Sequence, residues 1–234
     1  MRFYAGAYWD VGARAVNEDS VLLQIVRSKR KNVALGLISD GIGGLSEGHI
    51  ASGYVAEVVN ERFYNEIVPL VNRSRGMKYL KRCFLRTFYE IADDLKRYGT
   101  DRDLRLGSTV LLILMIGRRY MLFNLGDCRA YLIRGGTLSA MNTIHSQKKG
   151  SVSRCIGSFP FMSPDITCGK IRRKSGILLA SDGFYSLMDK DASLISPEKL
   201  QGDEAIEKML METGALIRKR GQKDNASAIY ICCI

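Results

Sequence analysis

The chain has 234 residues, 46% of them hydrophobic, and a formal charge of +11. With mean hydropathy near zero, this composition excludes a disordered or fibrous chain, and no Pro/Ser/Gly-rich linker or charge block divides it, so one domain over 1–234 is expected. Met1-Arg2-Phe3-Tyr4 opens no signal-peptide apolar run, and the longest apolar run, Val110 to Ile116, is too short for a bilayer; a cytoplasmic location and no membrane partner are expected.

Arg2 to Asp10 and Asp19 to Arg27 read as strands joined by an irregular link, and Val33 to Ser39 as a third strand after a basic hairpin tip. From Ser46, a candidate N-cap, the apolar period changes to 3.6. Ile50, Ala51, Val55, Val58, Val59 and Phe63 then share one helical face, and Pro69 closes the helical region. A second helix is predicted from about Met77 to Tyr98, with Leu80, Phe84, Phe88, Ile91 and Leu95 as its buried stripe and Gly99 as its stop.

Four short β-type runs follow as a meander: Ser108 to Ile116, Tyr120 to Leu125, Arg129 to Ile133 and Thr137 to Met141. Asp165 to Ile171 and Ile177 to Ser181 resemble a further hairpin. Glu204 to Arg218 carries Ile206, Met209, Leu210, Thr213 and Ile217 at helical spacing, and Ala226 to Ile234 is a last strand. Strands and helices in this order do not alternate as βαβ units do, so the expected class is α+β with antiparallel sheets.

Six cysteines lie on apolar or strand-like segments without CxxC spacing, which predicts reduced small hydrophobes and argues against zinc; adjacent Cys232 and Cys233 should point to opposite faces of a strand. The basic residues are scattered over short segments at 27–31, 118–119, 170–174 and 218–220. No nucleic-acid motif accompanies them, so they read as solvation at loop tips and sheet edges, with no nucleic-acid partner.

Asp40 ends an apolar strand and is followed by Gly41-Ile42-Gly43-Gly44. The chain repeats the device: Asp127 follows Phe123 to Gly126, Asp182 follows Leu178 to Ser181 and precedes Gly183, and Asp224 precedes the last strand. A single acid there is commonly a turn residue. If these strand ends converge, several carboxylates meet, and they would not all ionise without a cation. Oxygen ligands with few histidines select Mg²⁺ or Mn²⁺, and paired ions of this kind are a standard device for hydrolysing phosphate esters.

Gly12-Ala13-Arg14 through Asn17-Glu18-Asp19, Asp40-Gly41-Ile42-Gly43-Gly44, Gly107-Ser108-Thr109, Asn124 through Ala130, Leu179 to Gly183 and Asp224-Asn225 resemble, in order, the signatures of the metal-dependent Ser/Thr phosphatases of type 2C (PPM), in their compact bacterial form. The resemblance implies a four-layer αββα sandwich, two antiparallel sheets flanked by helices. It implies that Asp40 bridges two Mn²⁺ or Mg²⁺ ions, that the Gly41 carbonyl binds the first and that Asp182 and Asp224 bind the second. Glu18 and Asp19 would hold metal-bound waters, Asp127 would support a third, weaker ion, Arg14 would grip the substrate phosphate, and Asn225 would sit beside the site. A bridging water acidified by the ions would attack phosphorus in line, with no phosphoenzyme.

The implied activity is hydrolysis of phosphoserine and phosphothreonine in substrates of a Ser/Thr kinase, by a monomer. The competing class is an inactive PPM-fold binding module for a phosphoprotein or kinase, whose mark would be loss of Asp40, Asp182 or Asp224. Ile42 stands where many relatives have a histidine. Leu45 and His49 replace another familiar His and Glu, and His49 is expected to be structural. Tyr185-Ser186 replace a usual Trp-Asp pair. Ile144-His145-Ser146 and Ser153 to Gly157 bracket little more than Gln147 to Gly150, where bacterial relatives carry a longer flap. An open cleft with a shortened flap around 144–157 is therefore expected.

Overall fold

The computed structural model describes residues 2–27, 31–42, 47–146, 152–157, 160–187 and 202–233. Its strands are β1 (Phe3–Asp10), β2 (Asp19–Arg27), β3 (Asn32–Asp40), β4 (Val110–Ile116), β5 (Arg119–Leu125), β6 (Arg129–Arg134), β7 (Thr137–Ala140), β8 (Asp165–Lys170), β9 (Ser175–Ala180) and β10 (Ala226–Cys233). They form two five-stranded sheets, β1-β10-β9-β6-β7 and β2-β3-β4-β5-β8, antiparallel at every pairing. The expected α+β sandwich is what forms.

Its central strands are mostly apolar because both faces are covered, and β4 is apolar at every position. Along β4, Val110, Leu112 and Leu114 face an outer core with the helices, while Leu111, Ile113 and Met115 face the other sheet. β10 alternates likewise: Ile229, Ile231 and Cys233 point between the sheets, and Ala228, Tyr230 and Cys232 point to the third core. Cys232 and Cys233 thus take opposite faces, as period 2 requires. The cysteines are free, and all but Cys168 are buried.

On the second sheet lie α1 (Gly48–Arg62) and α3 (Met77–Arg102), whose Leu80, Phe84, Phe88, Ile91 and Leu95 are buried as predicted. On the first lie α4 (Asp182–Tyr185) and α5 (Asp203–Lys219), the latter burying Ile206, Met209, Leu210, Thr213 and Ile217. Among the described residues no helix is long and apolar enough to cross a membrane.

Five local expectations change. The four-strand meander and the β8–β9 hairpin do not form: β4 and β5 pair in the second sheet while β6 and β7 pair in the first, and β8 joins β5 in the second sheet while β9 lies between β6 and β10 in the first. Ser46 lies outside the described residues, and α1 begins behind Glu47, which adopts φ 61°. Pro69 does not close the helix: α1 passes through a π turn (Phe63–Ile67) into α2 (Val68–Asn72), with Pro69 in the first turn of α2. The wider i to i−5 turn, in which the Val68 amide donates to the Phe63 carbonyl, accommodates a residue that lacks an amide and crowds the preceding turn. Gly99 does not stop α3, which runs on to Arg102 with Asp103 in the left-handed region at φ 54°. Glycine is needed at 99 because the chain folds back on it. The Leu104 amide donates to the Gly99 carbonyl at 2.9 Å, and a Cβ on Gly99 would lie 2.6 Å from the Leu104 carbonyl oxygen.

Candidate metal centre and active site

Antiparallel register puts the sequence-distant acids at one rim. Asp40 closes β3, Asp19 opens β2 directly opposite it, Asp127 follows β5, Asp182 follows β9 and Asp224 precedes β10. Carboxylate oxygens of Asp40 and Asp127 and the Cys128 sulfur lie within 4.8 Å of one another. Ser181 donates to Asp19 Oδ2 at 2.9 Å and Ser227 to the same oxygen at 2.6 Å. The ends of β9 and β10 in one sheet are thereby tied to β2 in the other.

The turn after β3 is fixed by a dense hydroxyl and amide network. Ser108 Oγ and the Thr109 amide both donate to the Asp40 carbonyl, at 2.9 and 2.8 Å, and the Asp40 amide donates to Thr109 Oγ1 at 2.8 Å. The Gly41 amide donates to the Glu18 carbonyl at 2.9 Å, and Ser52 Oγ donates to that same carbonyl at 2.6 Å. A Cβ on Gly41 would fall 2.2 Å from the Gly48 carbonyl oxygen, so the start of α1 can press on this turn only because position 41 is glycine. These bonds occupy the Asp40 backbone; among the described residues no donor reaches its carboxylate.

The electrostatics of this rim run one way. Burial, followed by the charges of Asp19, Asp182, Asp127 and Asp224, pushes the Asp40 carboxyl well up. Asp19, 3% exposed, is pushed to about 6 by burial although the two serine hydroxyls pull it down. Asp127 is pushed to about 6 by burial and by Asp182, and Asp182 is raised by burial and Asp224. The Cys128 thiol is driven well up by burial and by Asp40 and Asp127, which keeps it a neutral thiol and a poor ligand. Asp127 Oδ1 is buried with no hydrogen-bond partner. Crowded carboxylates, one with an orphaned oxygen, fit a hard divalent cation better than they fit each other.

The other predicted residues fall around this centre. Arg14 is exposed and donates to Asp224 Oδ2 at 3.0 Å; its own pKa is raised by Asp224 first, with Glu18 and Asp182 adding. Asn225 sits beside the rim as a clasp: its Nδ2 donates to the Val11 carbonyl at 2.7 Å and its Oδ1 accepts the Glu18 amide at 2.9 Å. Asp19 has its Oδ2 taken by the two serine hydroxyls. His49 is solvent-facing in the first turn of α1 rather than inside the apolar stripe. Gly43, Gly44 and Leu45 lie outside the described residues.

Several supporting residues carried no signal in the chain order. Tyr185 is buried and donates to the Asp127 carbonyl at 3.0 Å, with Arg129 over its ring. Arg218 donates to the Asp224 carbonyl at 2.6 Å and pairs with Asp10 at 3.1 Å, fastening the turn before β10. His145 Nδ1 accepts the Gly126 amide at 3.1 Å, and its Nε2 lies 3.0 Å from both Asp165 Oδ2 and Arg154 Nη1. Only the alternation of donor residues with strand ends could have suggested these partners, and that pattern is common to many turns.

Residues 144–146 and 152–157 are held by isolated β-bridges. Ser146 bridges Val152 and Ser108 bridges Ile156, and no helix occurs among the described residues of this stretch. Gln147 to Gly150 lie outside them.

The family described as Protein phosphatase 2C matches residues 16–151. "Probable protein phosphatase 2C 27" of Arabidopsis thaliana is 24% identical over 230 residues, which cover 83% of this chain; the chain spans only 57% of that relative's length. Among solved structures, serine/threonine phosphatase Stp1 from Staphylococcus aureus superposes with a TM-score of 0.83 at 22% identity, over 100% of this chain and 96% of that one. The catalytic domain of serine threonine protein phosphatase PstP in complex with two manganese ions superposes with a TM-score of 0.76 at 23% identity, over 98% and 97%. These structural likenesses establish the αββα sandwich. With the family match extending over more than half of its residues, the chain belongs to the protein phosphatase 2C family.

Proposed function

We propose that this domain hydrolyses phosphoserine and phosphothreonine monoesters in proteins, the products of a Ser/Thr kinase. The observation that carries the reading is the rim of mutually destabilising carboxylates with the orphaned Asp127 Oδ1. Asp40, the Gly41 carbonyl, Asp182 and Asp224 would hold two Mn²⁺ or Mg²⁺ ions, with Asp127 serving a third and weaker one. Such ions, when bound, supply a nucleophilic water at neutral pH and neutralise phosphoryl charge. The PstP neighbour, described with two manganese ions, supports manganese as one of the metals used.

The chain's own part is positioning. Arg14 presents an exposed planar fork at the rim, suited to two phosphate oxygens, and Asp224 holds it there. Glu18 lines the rim on the same loop and would hold water, whereas Asp19, sealed by Ser181 and Ser227, acts from behind by fixing the β2–β3 pair and adding negative charge. Ile42 brings no proton donor to the rim. The Ser146–Val152 and Ser108–Ile156 bridges among the described residues of 144–157 support an open cleft with a shortened flap, in which substrate choice rests on surfaces outside it.

Hydrolysis of p-nitrophenyl phosphate and of a phosphothreonine peptide, with and without Mn²⁺, tests the proposal. Mn²⁺-dependent turnover that Asp182→Asn lowers by at least 1,000-fold is expected. A wild-type chain that binds Mn²⁺ yet turns over neither substrate would make the domain a binding module instead.

A further inference from the structure

The basic segments that look scattered along the chain converge in space, and they do so at the end of the sandwich opposite the acids. Arg27 ends β2 at the hairpin leading to β3. The next tip, Gly117-Arg118, is tied to that hairpin by the Gly117 amide, which donates to the Asn32 carbonyl at 3.0 Å. Arg119 pairs in register with Lys170, and the Ile171 amide donates to the Arg118 carbonyl at 2.8 Å. From there the tip carrying Arg172, Arg173 and Lys174 joins the other sheet through the Lys174 amide and the Cys233 carbonyl at 2.9 Å. Arg134, opposite Ser175, completes the pole.

All of these cations are exposed. Segments 116–120, 133–137 and 169–176 contain no Asp or Glu, and Arg27, Arg118, Arg119, Arg134, Lys170, Arg172, Arg173 and Lys174 make no ion pair among the described residues. The flanking helices do bring acids to the sides of the pole. Glu66, however, is already paired with Arg62 and Arg86, and Asp203 accepts the Ala5 amide. A loop-tip platform with one sign of charge, built from both sheets, is more than dispersed solvation requires.

The chemistry of the platform narrows its partner. Among the described residues no helix projects from these tips, and the exposed aromatic side chains Trp9, Tyr64, Tyr79 and Tyr89 do not belong to them. Base stacking therefore lacks its usual aromatic residues, and no described helix is placed to enter a groove. Several cations on convex tips suit an extended anionic plane, where each Lys or Arg near the surface contributes about 1 kcal/mol. We propose that this basic pole docks the domain on an anionic lipid surface. At about 3.3 Å per residue, the nine residues of β3 would then hold the acidic rim roughly 30 Å from the headgroups, facing the aqueous phase.

Co-sedimentation of the full chain with vesicles tests this. Binding is expected to phosphatidylcholine vesicles containing about 30% phosphatidylserine, not to pure phosphatidylcholine, and to fall steeply between 0.05 and 0.5 M salt. Combining Arg172→Gln, Arg173→Gln and Lys174→Gln should weaken partitioning by on the order of 100-fold, roughly fivefold per charge. The same variant should keep its circular dichroism spectrum and its turnover of p-nitrophenyl phosphate. Removing three charges elsewhere, with Arg102→Gln, Arg105→Gln and Lys219→Gln, should leave partitioning within twofold. Equal binding to both vesicle types, parental binding by the first variant, or tighter binding of a DNA or RNA oligonucleotide than of the anionic vesicles at 0.15 M salt would overturn the proposal.

Discussion

Asp19 and Asp40 stand directly opposite each other at the first register pair of β2 and β3, and burial holds both above the ordinary carboxylate range. A cross-strand pair of like charges opposes sheet formation. Its presence where two sheets are hydroxyl-bonded together means that local stability is given up to concentrate negative charge at one rim.

Metal-stripped protein should therefore be more stable near pH 5 than near pH 7.5. Asp19 and Asp127 are both raised to about 6, above their unfolded value of about 4. Their contribution is full below about pH 4 and is lost as pH rises through about 6. Asp40 and Asp182, also raised, act in the same direction. Thermal unfolding in chelator should show Tm falling by on the order of 5 °C between pH 5 and pH 7.5, and Mn²⁺ should reverse most of the fall. A Tm that rises over this interval would contradict the electrostatic account.

Ser227→Ala removes the shorter of the two hydroxyl bonds to Asp19. A bond to a buried charged oxygen contributes about 1.5–3 kcal/mol, so denaturant unfolding at pH 7.5 should show a loss of that size. At pH 5, with Asp19 largely protonated, the loss should be smaller. Equal losses at both pH values would mean that the hydroxyl serves packing alone.

Arg14→Ala should raise KM for a phosphothreonine peptide by about tenfold or more, since it removes a fork that grips phosphate. The Arg14–Asp224 pair is largely solvent-exposed and contributes little to folding, so Tm should stay within about 2 °C. A variant with unchanged KM would remove Arg14 from the substrate site.

Gly183→Ala places a Cβ 1.9 Å from the Asn225 carbonyl oxygen and 3.4 Å from the Asp224 Cβ. Backbone must move, and unfolding should show a loss of at least about 2 kcal/mol. Because Asp224 moves with it, Mn²⁺ affinity should drop as well; unchanged affinity would dissociate this turn from the metal centre.

Much of this was legible in the sequence. Apolar periodicity marked the central strands and the stripes of α3 and α5, because burial on both sheet faces selects mostly apolar residues there. The acids were legible because each interrupts an apolar run at its end. What could not be read was how elements far apart in the chain meet. Ser181 and Ser227 converge on Asp19 only through the β9–β10 pairing, and Tyr185 reaches Asp127 only after the chain has crossed the sheet. The basic tips look dispersed until the hairpins share one end. Pro69 and Gly99 misled for a related reason: each normally breaks a helix, and here a π turn and a backbone contact with Leu104 absorb the effect.

The central claim is that the carboxylate rim is a divalent-cation trap, and calorimetric titration of the chelator-stripped chain with Mn²⁺ at pH 7.5 tests it most directly. The account predicts saturable binding at two strong sites, with the heat abolished in Asp40→Asn, whose own metal-free Tm rises as repulsion is relieved. Absence of saturable heat up to millimolar Mn²⁺, or an Asp40→Asn isotherm indistinguishable from that of the parent, would contradict it.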